Sequence, residues 1–530
     1  MEQAQAQPIF RDTENLDQAL AQDSGEIPSW LNNIPEDIDD AFYDALAPVA
    51  GRDASMPAQN SRATKKAGKH PAPAVSWDFP TTQDGIAIAF VQRHGQNVRF
   101  NHSIGKWFIW KGYYWELQET KLAFHWVRLV CREIAKKAAD AEQKSLARGL
   151  RKVSTAAAVE VFAQADPAVA VTQNAFDRNP WLLGTPHGVV DLKTGNIIEA
   201  KREYLITKIT SVSPKKGECN RWKKFLLEVT RGDEAMVRYI QQLTGYMLTG
   251  DTTEEILIFV YGGGGNGKTV FLNVIRNVLN LYAKAASMDM FMASKNDRHP
   301  TDLAMLAGAR LVTASETEDG RAWAESRIKQ LTGHDPITAR FMRQDFFTFL
   351  PEFKLLLVGN HAPQLRNVDE AITRRFRVIP FLFKPEHPNK NLENELKEEY
   401  QEILQWMIEG CLDWQKNGLI TPEAVNTFTK DYLDSQDTMK QWIDDCCEID
   451  PSYECRIKYL FSSWEEYAKE ANIFAGTKRS FVPKIIQRVN GFKRIASDNI
   501  AVIQGVRLTY DELNKAKDED LKKRGLLPRN

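Results

Sequence analysis

The sequence lacks most of the features that would settle its class at a glance. Six cysteines (Cys131, Cys219, Cys411, Cys446, Cys447 and Cys455) are spread over 530 residues without a single C-x-x-C pair. That spacing argues against a zinc ribbon and against a disulfide framework, and it suits a reducing compartment. Adjacent Cys446 and Cys447 are poorly placed to share one tetrahedral ion, so ordinary buried or half-buried thiols are expected. Net charge is nearly absent: 69 Lys and Arg against 70 Asp and Glu leave −1. Wholesale coating of a polyanion is thereby excluded, and any basic surface must be local. No apolar run approaches the roughly 18 residues that cross a bilayer. The start, Met1-Glu2-Gln3-Ala4, has no basic region followed by an apolar stretch, so no secretory signal is visible. A cytoplasmic protein with no membrane partner is the expectation. What is present is 43% hydrophobic and 10% aromatic residues, normal for a chain that buries cores, over a length that calls for several domains.

Residues 1–76 are polar, first acidic (Glu36, Asp37, Asp39, Asp40) and then basic and Pro/Ala-rich (Arg62, Lys65, Lys66, Lys69). This reads as a disordered tether with a short helix around Asp40 to Leu46. An α+β domain is expected over 77–215. In it, Lys106 to Trp115 reads as a β-hairpin turning at Lys111-Gly112, with its aromatics packing a core; base stacking is the alternative. Helical periodicity follows from Ala123 to Ala165, broken near Arg148 to Val153. A second hairpin, Gly188–Leu192 to Asn196–Ile198, turns at Lys193-Thr194-Gly195. Asp191 there is better read as a turn-supporting carboxylate than as a catalytic acid. A helical collar is expected over 216–252, then alternating strands and helices over 253–385, the pattern of a parallel α/β sheet. A helical segment (386–447) and a winged-helix-like module (448–530) complete the chain.

The strongest signal is a strand, Ile256 to Tyr261, then Gly262-Gly263-Gly264-Gly265-Asn266-Gly267-Lys268-Thr269, then a helical pattern from Val270. Strand, G-x-x-x-x-G-K-[ST] loop and helix stand in the order a phosphate-binding loop requires. Phosphates need inward-turned backbone N–H groups, glycines permit the angles and the close approach, and the helix N-terminus adds its dipole. Lys268 is expected on the β- and γ-phosphates of ATP and the Thr269 hydroxyl on Mg²⁺. Roughly fifty residues on, Arg310 to Glu316 is an apolar strand ending in a carboxylate. Such a strand lies beside the loop in P-loop ATPases and brings an acid to Mg²⁺ or the attacking water, so Glu316 is expected there, with Glu318 in reserve. A third strand, Lys354 to Gly359, ends at Asn360, whose neutral amide suits holding the γ-phosphate and water. Arg374 and Arg375, ahead of the strand Val378 to Phe381, are candidates for an arginine inserted into a neighbour's site; surface salt bridging is the alternative.

Four strands in this order within little more than one hundred residues resemble a superfamily 3 helicase. The segment Ile328 to Arg340 looks like the extra motif that sets this superfamily apart. More closely, the chain is similar to the helicase half of phage and plasmid primase-helicases, the group that includes the poxvirus primase-helicase. Asn179-Pro180 to Gly195 and Thr230-Arg231-Gly232-Asp233 to Gly250 match that family upstream of the motor. The resemblance implies an AAA+ fold, a homohexameric ring and ATP-driven translocation along single-stranded or forked DNA. By position it assigns Lys268 and Thr269 to the nucleotide, Glu316 to the catalytic acid, Asn360 to the sensor and Arg375 or Arg374 to the finger. It also implies a channel-lining hairpin over Lys329 to Arg343, where Lys329, His334, Arg340 and Arg343 track phosphates. Two departures stand out. Ser315, rather than a second acid, precedes Glu316, and only about 76 mostly polar residues precede Trp77, too little for a primase domain. A separate primase or polymerase is therefore the expected partner. The rival readings are an ATP-assembled DNA-binding initiator or scaffold, and a full primase-helicase.

Overall fold

The computed structural model describes residues 79–523 except 295–300, 316–320, 343–344, 366–367, 472–474 and 496–499. The polar stretch 1–76, with its expected short helix, and Trp77 lie outside the described residues.

The chain enters α1 (Gln83–His94), whose first turn is fixed by the Thr82 hydroxyl accepting from the Gly85 N–H at 3.1 Å, an N-cap that satisfies an otherwise orphaned donor. Strands β1 (Val98–Asn101), β2 (Lys106–Trp110) and β3 (Trp115–Leu117) form an antiparallel meander. The expected hairpin is there, closed by a turn over Lys111–Tyr114 in which the Lys111 N–H donates to the Tyr114 carbonyl at 2.9 Å. Trp107, Phe108 and Ile109 are buried. The Trp107 ring meets Phe90 and Phe100 edge-on, and Phe108 lies 4.5 Å from Phe176. Core packing, not base stacking, therefore occupies these rings. Three helices follow, α2 (Leu122–Asp140), α3 (Lys144–Leu150) and α4 (Val153–Gln164). α2 buries Ala123, Val127, Val130, Cys131, Ile134 and Ala138, the spacing of one helix face. Strand β4 (Ala170–Val171) returns to β1 in parallel.

A separate antiparallel sheet is made by β5 (Leu182–Thr185), β6 (Gly188–Asp191) and β7 (Asn196–Ile198). Asp191 accepts from the Lys193 N–H at 3.0 Å and from the Thr194 hydroxyl at 3.2 Å, so it supports the turn. Helices α5 (Asn220–Val229) and α6 (Glu234–Met247) come next, the latter capped by Asp233 accepting from the Met236 N–H at 2.9 Å.

The centre of the chain alternates β8 (Leu257–Tyr261), α7 (Lys268–Leu279), β9 (Ala283–Ala285), β10 (Leu311–Ser315), α8 (Glu325–Thr332), the pair β11 (Ile337–Ala339) and β12 (Phe347–Phe349), β13 (Lys354–Gly359), the short α9 (Glu370–Thr373) and β14 (Phe376–Pro380). Five of these strands make one all-parallel sheet in the order β14-β8-β13-β10-β9. Leu257, Ile258, Phe259 and Val260 are all fully buried, as a strand covered on both faces requires. One sheet face packs on α5, α6 and α7 through Trp222, Phe225 and Phe271; the other packs on Phe291, Trp323 and Tyr432. The strand order corrects one expectation: β10 does not lie beside β8, because β13 is inserted between them.

Beyond the sheet, α10 (Leu392–Lys397), α11 (Tyr400–Asn417) and α12 (Glu423–Gln436) return over it. α11 lies against α6 with backbones in contact: a Cβ on Gly410 would sit 2.1 Å from the Gln241 carbonyl oxygen. The helices before and after the sheet thus share one core. The last part is α13 (Thr438–Cys446), β15 (Cys447–Arg456), α14 (Ile457–Glu470), α15 (Lys478–Val489), β16 (Phe492–Ile495), β17 (Ala501–Leu508) and α16 (Tyr510–Lys523), with strand order β15-β17-β16. This is the element order of a winged helix, and its core already includes Met439 and Trp442, upstream of the expected start at 448. All six cysteines are free and buried. Among the described residues no helix is long and apolar enough to cross a membrane.

Candidate nucleotide-binding site

β8 delivers the glycine-rich loop to the carboxyl edge of the parallel sheet, where open α/β folds bind ligands. The bend is enforced from both sides. A Cβ on Gly262 would lie 2.0 Å from the Phe381 carbonyl oxygen, and one on Gly267, which has φ of 81°, would lie 2.8 Å from the Phe225 ring. Gly263 and Gly264, by contrast, are exposed. Gly267 caps α7, so Lys268 and Thr269 occupy its first turn. Lys268 is 5% exposed and its ammonium donates to the carbonyls of Gly262 and Gly263, each at 2.7 Å. Burial pushes the Lys268 pKa down. The Thr269 side chain is exposed. Asn266 braces the loop by donating to the Phe383 carbonyl at 2.7 Å, while its own side-chain oxygen is buried without a hydrogen-bond partner.

β13 lies directly beside β8, with Gly359 level with Tyr261. Asn360, the next residue, is therefore exposed at the carboxyl edge next to the loop. β10 ends one strand further out, Ser315 being level with Val358. At a strand spacing of about 4.8 Å it stands roughly 10 Å from β8, with Asn360's strand in the gap. Glu316 and Glu318 lie outside the described residues.

Arg374 and Arg375 sit at the other edge of the sheet. The Arg375 carbonyl accepts from the Leu257 N–H at 2.8 Å, at the amino end of β8. Five residues at about 3.3 Å each put that level roughly 16 Å from Gly262. Arg375 is buried, donating to Thr332 Oγ1 at 3.0 Å, to the Ala371 carbonyl at 3.0 Å and to Glu255 Oε2 at 2.8 Å. Arg374 is exposed and shares Glu255 at 3.1 Å. Of the two candidates, the structure ties Arg375 into its own subunit and leaves Arg374 at the surface.

The expected channel hairpin is also relocated. Lys329 is on α8, not on a hairpin, and pairs with Asp369 at 2.5 Å. His334 lies 3.4 Å from Glu255. The hairpin itself is β11–β12, with Ile337 level with Phe349 and Ala339 level with Phe347. Arg340 leads into its loop and stacks over Phe346 at 4.8 Å; Arg343 lies outside the described residues. The end of this hairpin is more aromatic and apolar than its basic residues foretell: Phe341, Met342 and Phe346 are 37%, 71% and 60% exposed.

Sequence reasoning missed the neighbours that reach the loop through space. Phe225 backs Gly267, Lys384 passes 3.5 Å from the position a Gly265 Cβ would take, and Arg231 donates to the Leu382 carbonyl at 3.3 Å. Lys384 had a readable signal, a basic residue just past the last strand of the sheet. Phe225 had none, and Arg231 stood out only within the Thr230-Arg231-Gly232-Asp233 segment. Glu255 was missed as well, since nothing local announces that it gathers His334, Arg374 and Arg375.

The family described as D5 N terminal like matches residues 87–231, and a family of unknown function matches 260–375. A protein of Acanthamoeba polyphaga mimivirus named a "putative helicase" is 26% identical over 295 residues, 51% of this chain and 31% of the relative. One of frog virus 3 with the same description is 22% identical over 288 residues, 50% of this chain and 30% of the relative. A "putative primase" of African swine fever virus is 23% identical over 370 residues, 63% of this chain and 38% of the relative. The matched part therefore spans about a third of these relatives. A solved apo structure of the NrS-1 C-terminal region covers 80% of this chain and 100% of that one at 11% identity, with a TM-score of 0.47. The D5 N-terminal-like match and the helicase- and primase-named relatives across large DNA viruses support a phage and viral primase-helicase family.

Proposed function

We propose that the chain is an AAA+ ATPase motor that unwinds DNA in replication, acting on single-stranded or forked DNA as a homohexameric ring. The observation that carries this reading is the Lys268 ammonium, held against the Gly262 and Gly263 carbonyls at the carboxyl edge of an all-parallel sheet. The loop fits a polyphosphate: Gly263 and Gly264 are open, Lys268 is desolvated, and Thr269 is exposed in the first helical turn. ATP with Mg²⁺ supplies, when bound, the phosphoanhydride to be cleaved and the cation that neutralises its charge. The chain's own contributions are then distinct. Lys268 exchanges its loop carbonyls for phosphate oxygens, Thr269 provides a hydroxyl for the metal, and Asn360 offers a neutral amide beside the terminal phosphate. Glu316 is the proposed acid that orients the water.

Arg374 is the better finger of the two arginines, since Arg375 is committed within its own subunit. Neither reaches its own loop across about 16 Å of sheet, so service to a neighbouring subunit is the consistent arrangement. Strand contact is assigned to the β11–β12 hairpin, with Arg340 on phosphates and the exposed aromatics on bases.

The test is phosphate release stimulated by single-stranded DNA together with separation of a forked duplex, in the parent and in Lys268→Ala. Turnover lost in the variant is expected; unwinding that survives in Lys268→Ala would sink the reading. Labelled nucleotides incorporated on a single-stranded template would instead select the primase-helicase alternative that some relatives' names raise.

A further inference from the structure

We propose that the turn of the β2–β3 hairpin, with Arg99 and Arg202 beside it, is a second contact for an unpaired nucleic-acid strand. Trp110 and Tyr113 stack bases there, the two guanidiniums hold a phosphate, and no nucleotide is needed. The contact is distinct from the one assigned to β11–β12 and does not depend on it.

The hairpin treats its aromatics in two ways. Trp107, Phe108 and Trp115 are buried and serve the cores of this part of the chain. Trp110, Tyr113 and Tyr114, at the turn, are only half-buried. Trp110 is level with Trp115, their rings 5.5 Å apart, and the Tyr113 and Tyr114 rings lie 5.2 Å apart. Two arginines layer onto these rings. Arg99, on β1, lies over Trp115 at 4.7 Å, and Arg202, in the helical turn Arg202–Tyr204, lies over Trp110 at 5.7 Å. The backbone fixes that layering, since the Arg202 carbonyl accepts from the Trp115 indole N–H at 3.0 Å.

The two guanidiniums are close enough to repel, and their hydrogen bonds go to neutral oxygens. Arg99 donates to the Val98 carbonyl at 2.7 Å and to the Gly95 carbonyl, and Arg202 donates to Asn97 Oδ1 at 3.1 Å. The Arg202 Nε–H is buried with no hydrogen-bond partner. Burial pushes the Arg99 pKa down and the Arg202 charge pushes it further, with the Glu203 carboxylate offsetting only part. Glu116, the acid on β3, is already taken by the Tyr114 hydroxyl at 2.9 Å and by Lys111 at 3.6 Å.

That chemistry fits an unpaired strand. Two like charges held together in a half-dry setting cost free energy that one anion between them removes. Guanidinium forks match the oxygens of a phosphate, and an open indole or phenol face takes a base of any kind. Phosphate and base in alternation are what a nucleic-acid strand presents. The strand must be unpaired, because a duplex keeps its base faces stacked on one another.

The experiment uses the full chain without nucleotide, so its outcome is separable from any failure of the ATPase reading. An oligothymidine carrying 5-iodouracil, which joins on irradiation to the aromatic side chains it stacks on, is crosslinked to the parent, and the joined peptides are read by mass spectrometry. Crosslinks at Trp110 or Tyr113 are expected; crosslinks confined to the β11–β12 hairpin, or none at all, overturn the proposal. Fluorescence anisotropy with the same oligonucleotide is then run in a Phe341→Ala, Phe346→Ala background, which takes the other contact out of the comparison. Arg202→Gln should flatten the slope of log affinity against log salt by about 0.7, the value for one phosphate on a single strand, and Arg202→Lys should restore it. A guanidinium that only braces the fold would change the melting temperature and leave the slope alone, which counts against the site. Tyr113→Ala, on the half-buried turn, should lose about tenfold in affinity at an unchanged slope, and it carries the comparison should Arg202→Gln lose its melting transition. Equal affinity in Tyr113→Ala overturns the proposal. So does tighter binding of a blunt duplex, or displacement of the strand by polyglutamate as readily as by unlabelled oligothymidine.

Discussion

Glu255 and Arg375 form a 2.8 Å ion pair at the amino end of β8, across the sheet from the Lys268 loop. Glu255 takes this role with φ of 49° and is shared by Arg374 at 3.1 Å and His334 at 3.4 Å. One carboxylate thus ties the start of the central strand to the segment after α8 and to the arginines before β14. The glycine-rich loop follows the carboxyl end of β8, whereas Arg374 precedes the neighbouring β14 at the sheet's amino end.

The two adjacent arginines should separate cleanly. Arg375→Ala removes a guanidinium that is 6% exposed together with its bonds to Thr332, the Ala371 carbonyl and Glu255; a hydrogen bond to a charged group is worth about 1.5–3 kcal/mol. A clearly lowered melting temperature is expected. Arg374→Ala should melt within about 0.5 kcal/mol of the parent, as exposed pairs do, yet lose turnover in the assembled protein. Mixing Arg374→Ala with Lys268→Ala should restore part of the phosphate release. No recovery in stable mixed assemblies counts against the shared site.

Gly262→Ala should damage the loop without touching the phosphate groups themselves. The added methyl would lie 2.0 Å from the Phe381 backbone, so strand and loop must part. Loss of ATP binding by calorimetry with a melting temperature well above that of Arg375→Ala is expected. Binding at parental affinity would mean that β14 yields more easily than its buried register allows.

At the hairpin end, Phe346→Ala removes an exposed ring and the partner of Arg340. Basal phosphate release should persist, while stimulation by single-stranded DNA should fall about tenfold, in line with the 1–3 kcal/mol of one base–aromatic stack. Undiminished stimulation in a Phe341→Ala, Phe346→Ala double variant would move strand contact elsewhere.

Acid sensitivity of the N-terminal domain is expected from His94, whose ring stacks on Trp126 at 5.1 Å. Burial, reinforced by the Arg93 charge, pushes its pKa down from 6.5 to about 4. The unfolded chain then takes up the proton first, so stability is full above about pH 6.5 and drains as the pH falls toward 4. His94→Phe, which keeps the stack and drops the proton, should flatten the melting temperature over that window. An unchanged slope would place the acid sensitivity in other groups.

Much of the architecture was legible because it is written locally. The phosphate loop announces itself by strand, glycines, lysine and helix in a row. The Asp191 turn, the aromatic hairpin and the α2 face follow from short-range turn chemistry and periodicity. The misreadings were all matters of what lies beside what. Arg374 and Arg375 are alike as letters, and only the packing of α8 and Glu255 buries one and leaves the other exposed. Lys329 was read as part of a basic hairpin, whereas the α8 turn carries it to Asp369.

By itself the sequence determined which segments become strand, loop and helix, and that a glycine-rich loop joins β8 to α7, since these depend on residues within a few positions of one another. Only the tertiary structure decided that β13 stands between β8 and β10, that Phe225 and Lys384 flank the loop, and that a lone glutamate anchors the far edge. Those relationships join residues up to 159 positions apart, between Phe225 and Lys384, and they are set by burial and shape in a shared core, to which no local pattern of residues is bound.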